Sequence, residues 1–209
     1  MATFTSSTFG LISGRHGTAV AAVTKDGKNI LRIHRKPTNP NTAKQLAHRE
    51  KFGLVNQSMT PLRQIVREGY NDSSGFRKAC GDAIRNAVIE TPEGIKIDFS
   101  KVKIAGGELQ DLLSASTTKQ EDGLSYQFDW DTTIGFQSRE GNLNDDVHIV
   151  IFDETSGLSI RFDSVAERKA GTAKITIPEI WKGKKLHAWL YLSDKSNLYH
   201  SGSYYLPIE

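Results

Sequence analysis

The chain is poor in cysteine and proline and contains no long apolar run. Of its 209 residues, one is cysteine (Cys80) and six are proline. A single cysteine excludes an internal disulfide and a thiolate metal cage within one chain. No apolar run approaches the ~20 residues of a membrane-spanning helix, and the N-terminus lacks a basic region followed by an apolar core. We therefore expect synthesis in the cytoplasm without a signal peptide, and no membrane insertion.

The sequence also lacks the signatures of common catalytic and metal sites. It has no Gly-x-Ser-x-Gly elbow, no P-loop, and neither His-x-His nor His-x-x-x-His spacing among its six histidines. Cys80 belongs to an apolar helical stripe and is interpreted as a buried structural thiol. His187 alternates with apolar residues in a strand and is interpreted as hydrogen-bonded within the fold. We predict no catalytic residue, no metal and no cofactor.

Charge is distributed unevenly along the chain. Residues 1–90 carry 14 Lys and Arg against 6 Asp and Glu, whereas residues 91–209 carry 13 against 18, within a net charge of +3. Such asymmetry can mark a basic surface for an acidic partner. The alternative is two solvated surfaces whose balances differ by accident.

The first part of the chain predicts a β-hairpin and then a helix. Two extended segments, 18–23 and 29–34, flank Asp26-Gly27, which is a strong turn signal because glycine tolerates positive φ. The Pro- and Asn-rich stretch that follows breaks regular structure. It also predicts a helix over 40–57, with Asn39 as the N-cap and Pro40 at the first helical position.

Two further helices are expected before residue 90. Pro61, with Thr60 as its cap, predicts the start of a second helix, on which Arg63 and Arg67 lie four residues apart on one face. A third helix over 76–89 follows from an apolar residue at every fourth position: Phe76, Cys80, Ile84 and Val88.

After Pro92 the apolar period changes to two, which indicates strands. The candidate strands run over 95–104, 125–130, 147–152, 158–162, 173–177, 186–192 and 198–206. In the third of these, Val147, Ile149 and Ile151 are expected on one face, with His148, Val150 and Phe152 on the other.

Together these elements predict an α+β fold. An N-terminal β-hairpin plus short helices would precede a C-terminal immunoglobulin-like β-sandwich, or a fibronectin-like one, of about seven strands. The break at 91–94 is the expected domain boundary. It gives a basic domain over residues 1–93 and an acidic domain over residues 94–209.

Several short motifs resemble those of one bacterial family. They are Gly14-Arg15 and Gly17, then Asn39-Pro40-Asn41-Thr42 with Gln45, Arg49 and Phe52, then Asp146-Val147, Pro178, Trp181-Lys182-Gly183, His187, and Ser201 with Ser203 and Tyr205. The chain resembles domain of unknown function family 6266, an uncharacterised Bacteroidota family of about this length. That resemblance implies no established activity and no catalytic residues. Similar Asn-Pro-x-Thr helix starts also occur in phage-type structural proteins.

We therefore expect a non-enzymatic structural or assembly protein. It would be a subunit of a larger particle, such as a phage virion (capsid or tail component) or an extracellular appendage, and would contact other protein subunits in a homo- or hetero-oligomer. The expected contact residues are Arg15, Arg32, Arg35, Lys36, Lys44, Arg49 and Lys51.

Two alternative functions stay open from the sequence. A binding module for glycan would use the aromatic residues of the second half, among them Trp130, Trp181 and Trp189. A binding module for nucleic acid would use the basic stretch over 32–51, although no helix-turn-helix or RNA-binding signature accompanies it. A cytoplasmic enzyme of unfamiliar type is the least favoured interpretation.

Overall fold

The computed structural model describes residues 2–6, 8, 10–36, 39, 41–92, 94–135 and 141–208. The chain divides into two compact units, Met1–Ala43 and Lys44–Glu209. These bounds differ from the predicted division at residues 93 and 94. The helices share the second unit with the C-terminal strands because both contribute to one apolar cluster.

The first unit is a four-stranded antiparallel sheet. Its strands are β1 (Ala2–Phe4), β2 (Gly14–His16), β3 (Ala19–Val23) and β4 (Asn29–Ile33), in the order β1-β4-β3-β2. The predicted hairpin is confirmed as β3 and β4, and Gly27 in its turn has a φ of 73°. The buried side chain of Asn29 holds the segment that precedes β2, since it donates to Gly10 O and accepts from Ile12 N.

The second unit begins with helices. These are α1 (Ala43–Met59), a 3-10 turn (Thr60–Leu62), α2 (Arg63–Gly69) and α3 (Gly75–Asn86). The first helix starts at Ala43 rather than at residue 40, and Pro40 itself lies outside the described residues. The predicted cap at Thr60 is wrong, because its hydroxyl donates back to Asn56 O at 2.6 Å. The third helix ends earlier than predicted, since Val88 already belongs to a strand.

A small hairpin occupies the stretch where we expected a domain boundary. Strands β5 (Val88–Thr91) and β6 (Gly94–Ile97) pair antiparallel, with Thr91 opposite Gly94, and both strands lie in the second unit. A 3-10 turn, Phe99–Lys101, follows. Residues 102–104, predicted as strand, are not in a strand, although Val102 and Ile104 are buried.

Seven further strands form two antiparallel sheets. They are β7 (Ala115–Lys119), β8 (Ser125–Trp130), β9 (Asp146–Asp153), β10 (Leu158–Glu167), β11 (Thr172–Thr176), β12 (Leu186–Ser193) and β13 (Tyr204–Ile208). The sheet orders are β11-β8-β7 and β10-β9-β12-β13. The strand predicted over 198–206 is confirmed only in part, since pairing there is reduced to a Ser193–His200 bridge before Tyr204. The mixed α+β prediction is thus confirmed.

The four-stranded sheet of the second unit is covered on both faces. Val147, Ile149 and Ile151 pack in one apolar cluster with the three-stranded sheet, as the period of two predicts. Val150 and Phe152 point to the opposite face and pack in a second cluster with the helices. In a free-standing sandwich the outer face of each sheet meets solvent, whereas here helices cover the outer face of the four-stranded sheet.

Candidate functional site

The predicted contact residues fall in both units. Arg15 and Arg32 lie on β2 and β4, and Arg35 and Lys36 follow β4, all in the first unit; Lys44, Arg49 and Lys51 lie on α1 in the second. Their role in binding stays a prediction. For Lys51, the Nζ atom is 2.9 Å from Glu90 Oε1, so its charge is already paired within the second unit.

One face of the N-terminal sheet carries two arginines beside Val20 and Ile30, and the other carries three large aliphatic side chains. Val20 of β3 pairs with both Arg15 of β2 and Arg32 of β4, which places the two arginines on the same face. The opposite face carries Val23, Leu31 and Ile33. Of these, Ile33 is 72% exposed and Leu31 is 37% exposed.

This sheet has almost no apolar core of its own. Among the described residues of the first unit, Ala21 alone of the hydrophobic residues is buried. Isolated sheets need a hydrophobic face packed against another layer to be stable in water. The face with Val23, Leu31 and Ile33 therefore leaves aliphatic side chains exposed, most of all Ile33.

A polar cleft of about 500 Å³ lies in the second unit at one end of the four-stranded sheet. His148 on β9 is central to it: its Nδ1 is 3.1 Å from Asp163 Oδ1 and its Nε2 is 2.9 Å from Ser193 Oγ. The ring stacks on Tyr191 at a centroid distance of 4.8 Å. Burial lowers the pKa of His148 below 6.5, and the hydrogen bond that its ring donates to the Asp163 carboxylate opposes that shift.

A β-bulge in β10 positions the carboxylate of Asp163 in this cleft. The register of β10 against β9 shifts between Phe162 and Ala166, and Ser164 adopts a positive φ of 48°. Bulges reorient side chains next to functional sites, and a non-glycine residue with positive φ is uncommon. The sequence period gives no sign of this shift, so sequence reasoning missed the cluster.

The connectivity of Ser193, His148 and Asp163 is that of an acyl-transfer triad, in which histidine links a hydroxyl and a carboxylate. Accessibility argues against that chemistry. Ser193 is 2% exposed, so its hydroxyl is closed to an acyl substrate in this conformation. The network instead satisfies polar groups inside the sheet, which is what buried polar side chains require.

His187 makes a second buried network, as predicted for this residue. Its Nδ1 is 2.8 Å from Tyr205 Oη and its Nε2 is 3.2 Å from Glu154 Oε2. The ring also packs on Phe99 at 4.7 Å. Burial lowers the pKa of His187.

Cys80 is buried in the helical cluster, which confirms its interpretation as a structural thiol. Burial raises its pKa, so the reactive thiolate is disfavoured. Within the described ranges, no group of three or more His, Cys, Asp and Glu side chains is arranged to hold a metal ion. In that same part of the chain, no helix combines the length and apolar character needed to cross a membrane.

The fold and its surfaces define an α+β protein in which a basic N-terminal sheet precedes a larger unit of helices and two antiparallel sheets. The chain belongs to a family of unknown function, DUF6266, whose sequence model matches residues 11–206. No curated protein and no solved structure is significantly similar to it.

Proposed function

We propose that this protein is a non-enzymatic assembly protein, a subunit of a larger particle such as a virion or an extracellular appendage. The observation that carries the proposal is the exposed aliphatic part of one face of the N-terminal sheet, where Ile33 is 72% exposed although Ala21 and Asn29 of the same face are buried. Covering a large aliphatic side chain contributes about 1.5–3 kcal/mol when burial is complete. Ile33 and Leu31 therefore make this face a source of binding energy as well as of instability.

A second copy of the chain is the partner that the charges favour. Residues 1–43 carry six Lys and Arg against one Asp, whereas residues 91–209 carry 18 acidic against 13 basic residues. A contact between these different surfaces of two copies is heterologous, and such contacts build rings or open arrays. Electrostatic attraction would steer the encounter, and the apolar face would supply most of the affinity.

Light scattering of the purified chain over a wide concentration range tests this proposal. We expect oligomers that dissociate on dilution, and Ile33→Asp should shift the population towards monomer. Ile89→Asp is the control, because Ile89 is an exposed aliphatic residue (38%) of the second unit that lies outside both residues 1–43 and residues 91–209. A wild-type chain that stays monomeric at high concentration would remove the basis for the proposal.

We also propose that β7–β13 form an immunoglobulin-like sandwich. Labelled A to G in chain order, these strands pair as A-B-E and D-C-F-G. The pairings A–B, B–E, C–F and F–G are those of immunoglobulin domains, in which strand D pairs with E instead of C. The shared core of the two sheets supports the same interpretation.

The tryptophans of the second half give little support to the glycan-binding alternative. Trp130, Trp181 and Trp189 are all buried, so none offers a ring face to a sugar. Trp189 Nε1 donates to Val102 O at 2.9 Å, which fixes its ring in the helical cluster. These aromatic residues therefore act as core.

A further inference from the structure

Three arginines line one surface cleft formed by α2, α3 and the loop between them. Arg63 and Arg67 lie one turn apart on α2, and Arg77 lies in the first turn of α3. With Ser73, Ser74 and Phe76 they enclose about 450 Å³. Among the described residues, none of the three arginines forms an ion pair with a carboxylate.

The carboxylates nearest to this cleft are already engaged by other groups. Asp72 accepts from Lys78 Nζ at 2.6 Å and from Ser74 N at 2.8 Å, and these bonds hold the pKa of Asp72 well below its usual range. Glu68 pairs with Arg161 and accepts from Gln64 Nε2 at 3.0 Å. The positive charge of the three guanidinium groups is therefore not neutralised locally.

One of these arginines lies over an aromatic ring. The guanidinium carbon of Arg63 lies 5.1 Å from the centre of the Phe76 ring. Stacking on an aromatic face orients the guanidinium plane and leaves the N–H groups at its edge free to donate. The neighbouring start of α3 adds weakly to the positive field, because its cap residue Ser74 makes no side-chain capping bond. The arginines alone carry the inference.

We propose that this cleft binds a phosphate group, as the free anion or as the monoester of a small molecule. Planar guanidinium forks match the oxygens of phosphate, and charge-assisted bonds of this kind are stronger than neutral ones. A tetrahedral dianion can accept from three arginines at once, whereas a planar carboxylate engages one or two. The cleft lies wholly in the second unit, so the proposal is independent of the assembly proposed above.

The test is calorimetric titration of the full chain with inorganic phosphate and, separately, with glycerol phosphate. At low ionic strength and about pH 7.5, where a phosphate monoester is largely a dianion, we expect saturable binding of both. Each of Arg67→Gln and Arg77→Gln should weaken binding about tenfold, the loss typical of one charge-assisted hydrogen bond. Arg77→Lys, which keeps the charge without the fork, should also weaken binding but to a smaller extent.

Arg85→Gln is the matched control, because it removes an exposed arginine from the other end of α3. Its phosphate affinity should equal that of the wild type. The proposal is overturned if the wild type shows no saturable phosphate binding, or if Arg85→Gln loses as much affinity as Arg77→Gln. It is equally overturned if a polynucleotide binds and neither phosphate compound competes, since that result indicates a diffuse nucleic-acid surface.

Discussion

At the scale of single residues, two buried histidines make the stability of the fold depend on pH. Burial lowers the pKa of both His148 and His187 from 6.5, against the opposing effect of Asp163 and Glu154. In the unfolded chain each would titrate near its ordinary value. Between the lowered native pKa and 6.5, the unfolded state binds more protons, so acidification in that window favours unfolding.

Stability should therefore be highest above about pH 7 and decline as the pH falls through about 6.5. Thermal denaturation followed by circular dichroism at a series of pH values measures this slope. His148→Gln should flatten the slope, even though it lowers stability by disturbing the hydrogen bonds of the ring with Asp163 and Ser193. His48→Gln, at an exposed position of α1, should leave it unchanged. An unaltered slope in His148→Gln would show that this histidine does not carry the effect.

At the scale of elements, α3 shows how the helices pack in their apolar cluster. Ala79, Cys80 and Ala83 are buried in the cluster that also contains Val150 and Trp189. Ile84, which the period of four placed on the buried stripe, is only partly buried and packs at the margin of that cluster. The inner face of α3 is thus rotated towards its alanines, whose small side chains allow close packing of α3 against α2.

Ala83→Asp should destabilise the protein by about 3–5 kcal/mol, because it buries an unpaired charge. Ile84→Asp should also destabilise, by a smaller amount, since its carboxylate can reach water. Arg85→Asp on the exposed side of α3 should change stability by less than about 1 kcal/mol. Urea denaturation gives all three free energies of unfolding. Equal losses in Ala83→Asp and Arg85→Asp would contradict the packing described here.

The elements that sequence periodicity predicts well are those with a strong alternation. Strands β8, β9 and β12 were predicted nearly at their bounds because apolar residues recur at every second position. Strands β2 and β7 were missed because Gly14 and the Ser-Thr run at 116–118 give no apolar period. Periodicity predicts an apolar stripe on α3, but it carries no information on the elements that pack against the helix.

The polar clusters are harder to predict for the same reason. His148, Asp163 and Ser193 come together through the register of three strands and one bulge. Arg63 and Arg67 are adjacent on one helix and visible in the sequence, whereas Arg77 joins them only through the loop that connects α2 and α3. Contacts between residues far apart in the chain depend on tertiary packing, which local pattern does not encode.

For the whole molecule, charge reversal tests whether the basic stretch takes part in assembly. Changing Arg35, Lys36 and Lys44 to Glu should weaken self-association while leaving the melting temperature nearly unchanged, since exposed charges add little stability. Lys51 is left intact because it pairs with Glu90. Analytical ultracentrifugation at low and high salt measures the association, which should also weaken as salt screens the attraction.

The control for this experiment reverses three exposed arginines of α2 and α3, Arg67, Arg77 and Arg85, which lie outside the acidic residues 91–209. These changes alter net charge by the same amount but lie away from the basic stretch in sequence. Association that falls equally in both variants would indicate a general effect of net charge. Such a result would count against the predicted contact residues.

The two central strands, β9 and β12, have a further consequence for folding cooperativity. Val150 and Trp189 belong to the helical cluster, while their neighbours Ile149 and Leu190 belong to the cluster between the sheets. Neither layer can detach without exposing the back of the same two strands, so residues 44–209 should melt in a single transition. Amide protons of β9 and β12 should then exchange only through global opening. A chain cut at residue 93 would leave an apolar sheet face bare, and each fragment should aggregate rather than fold alone.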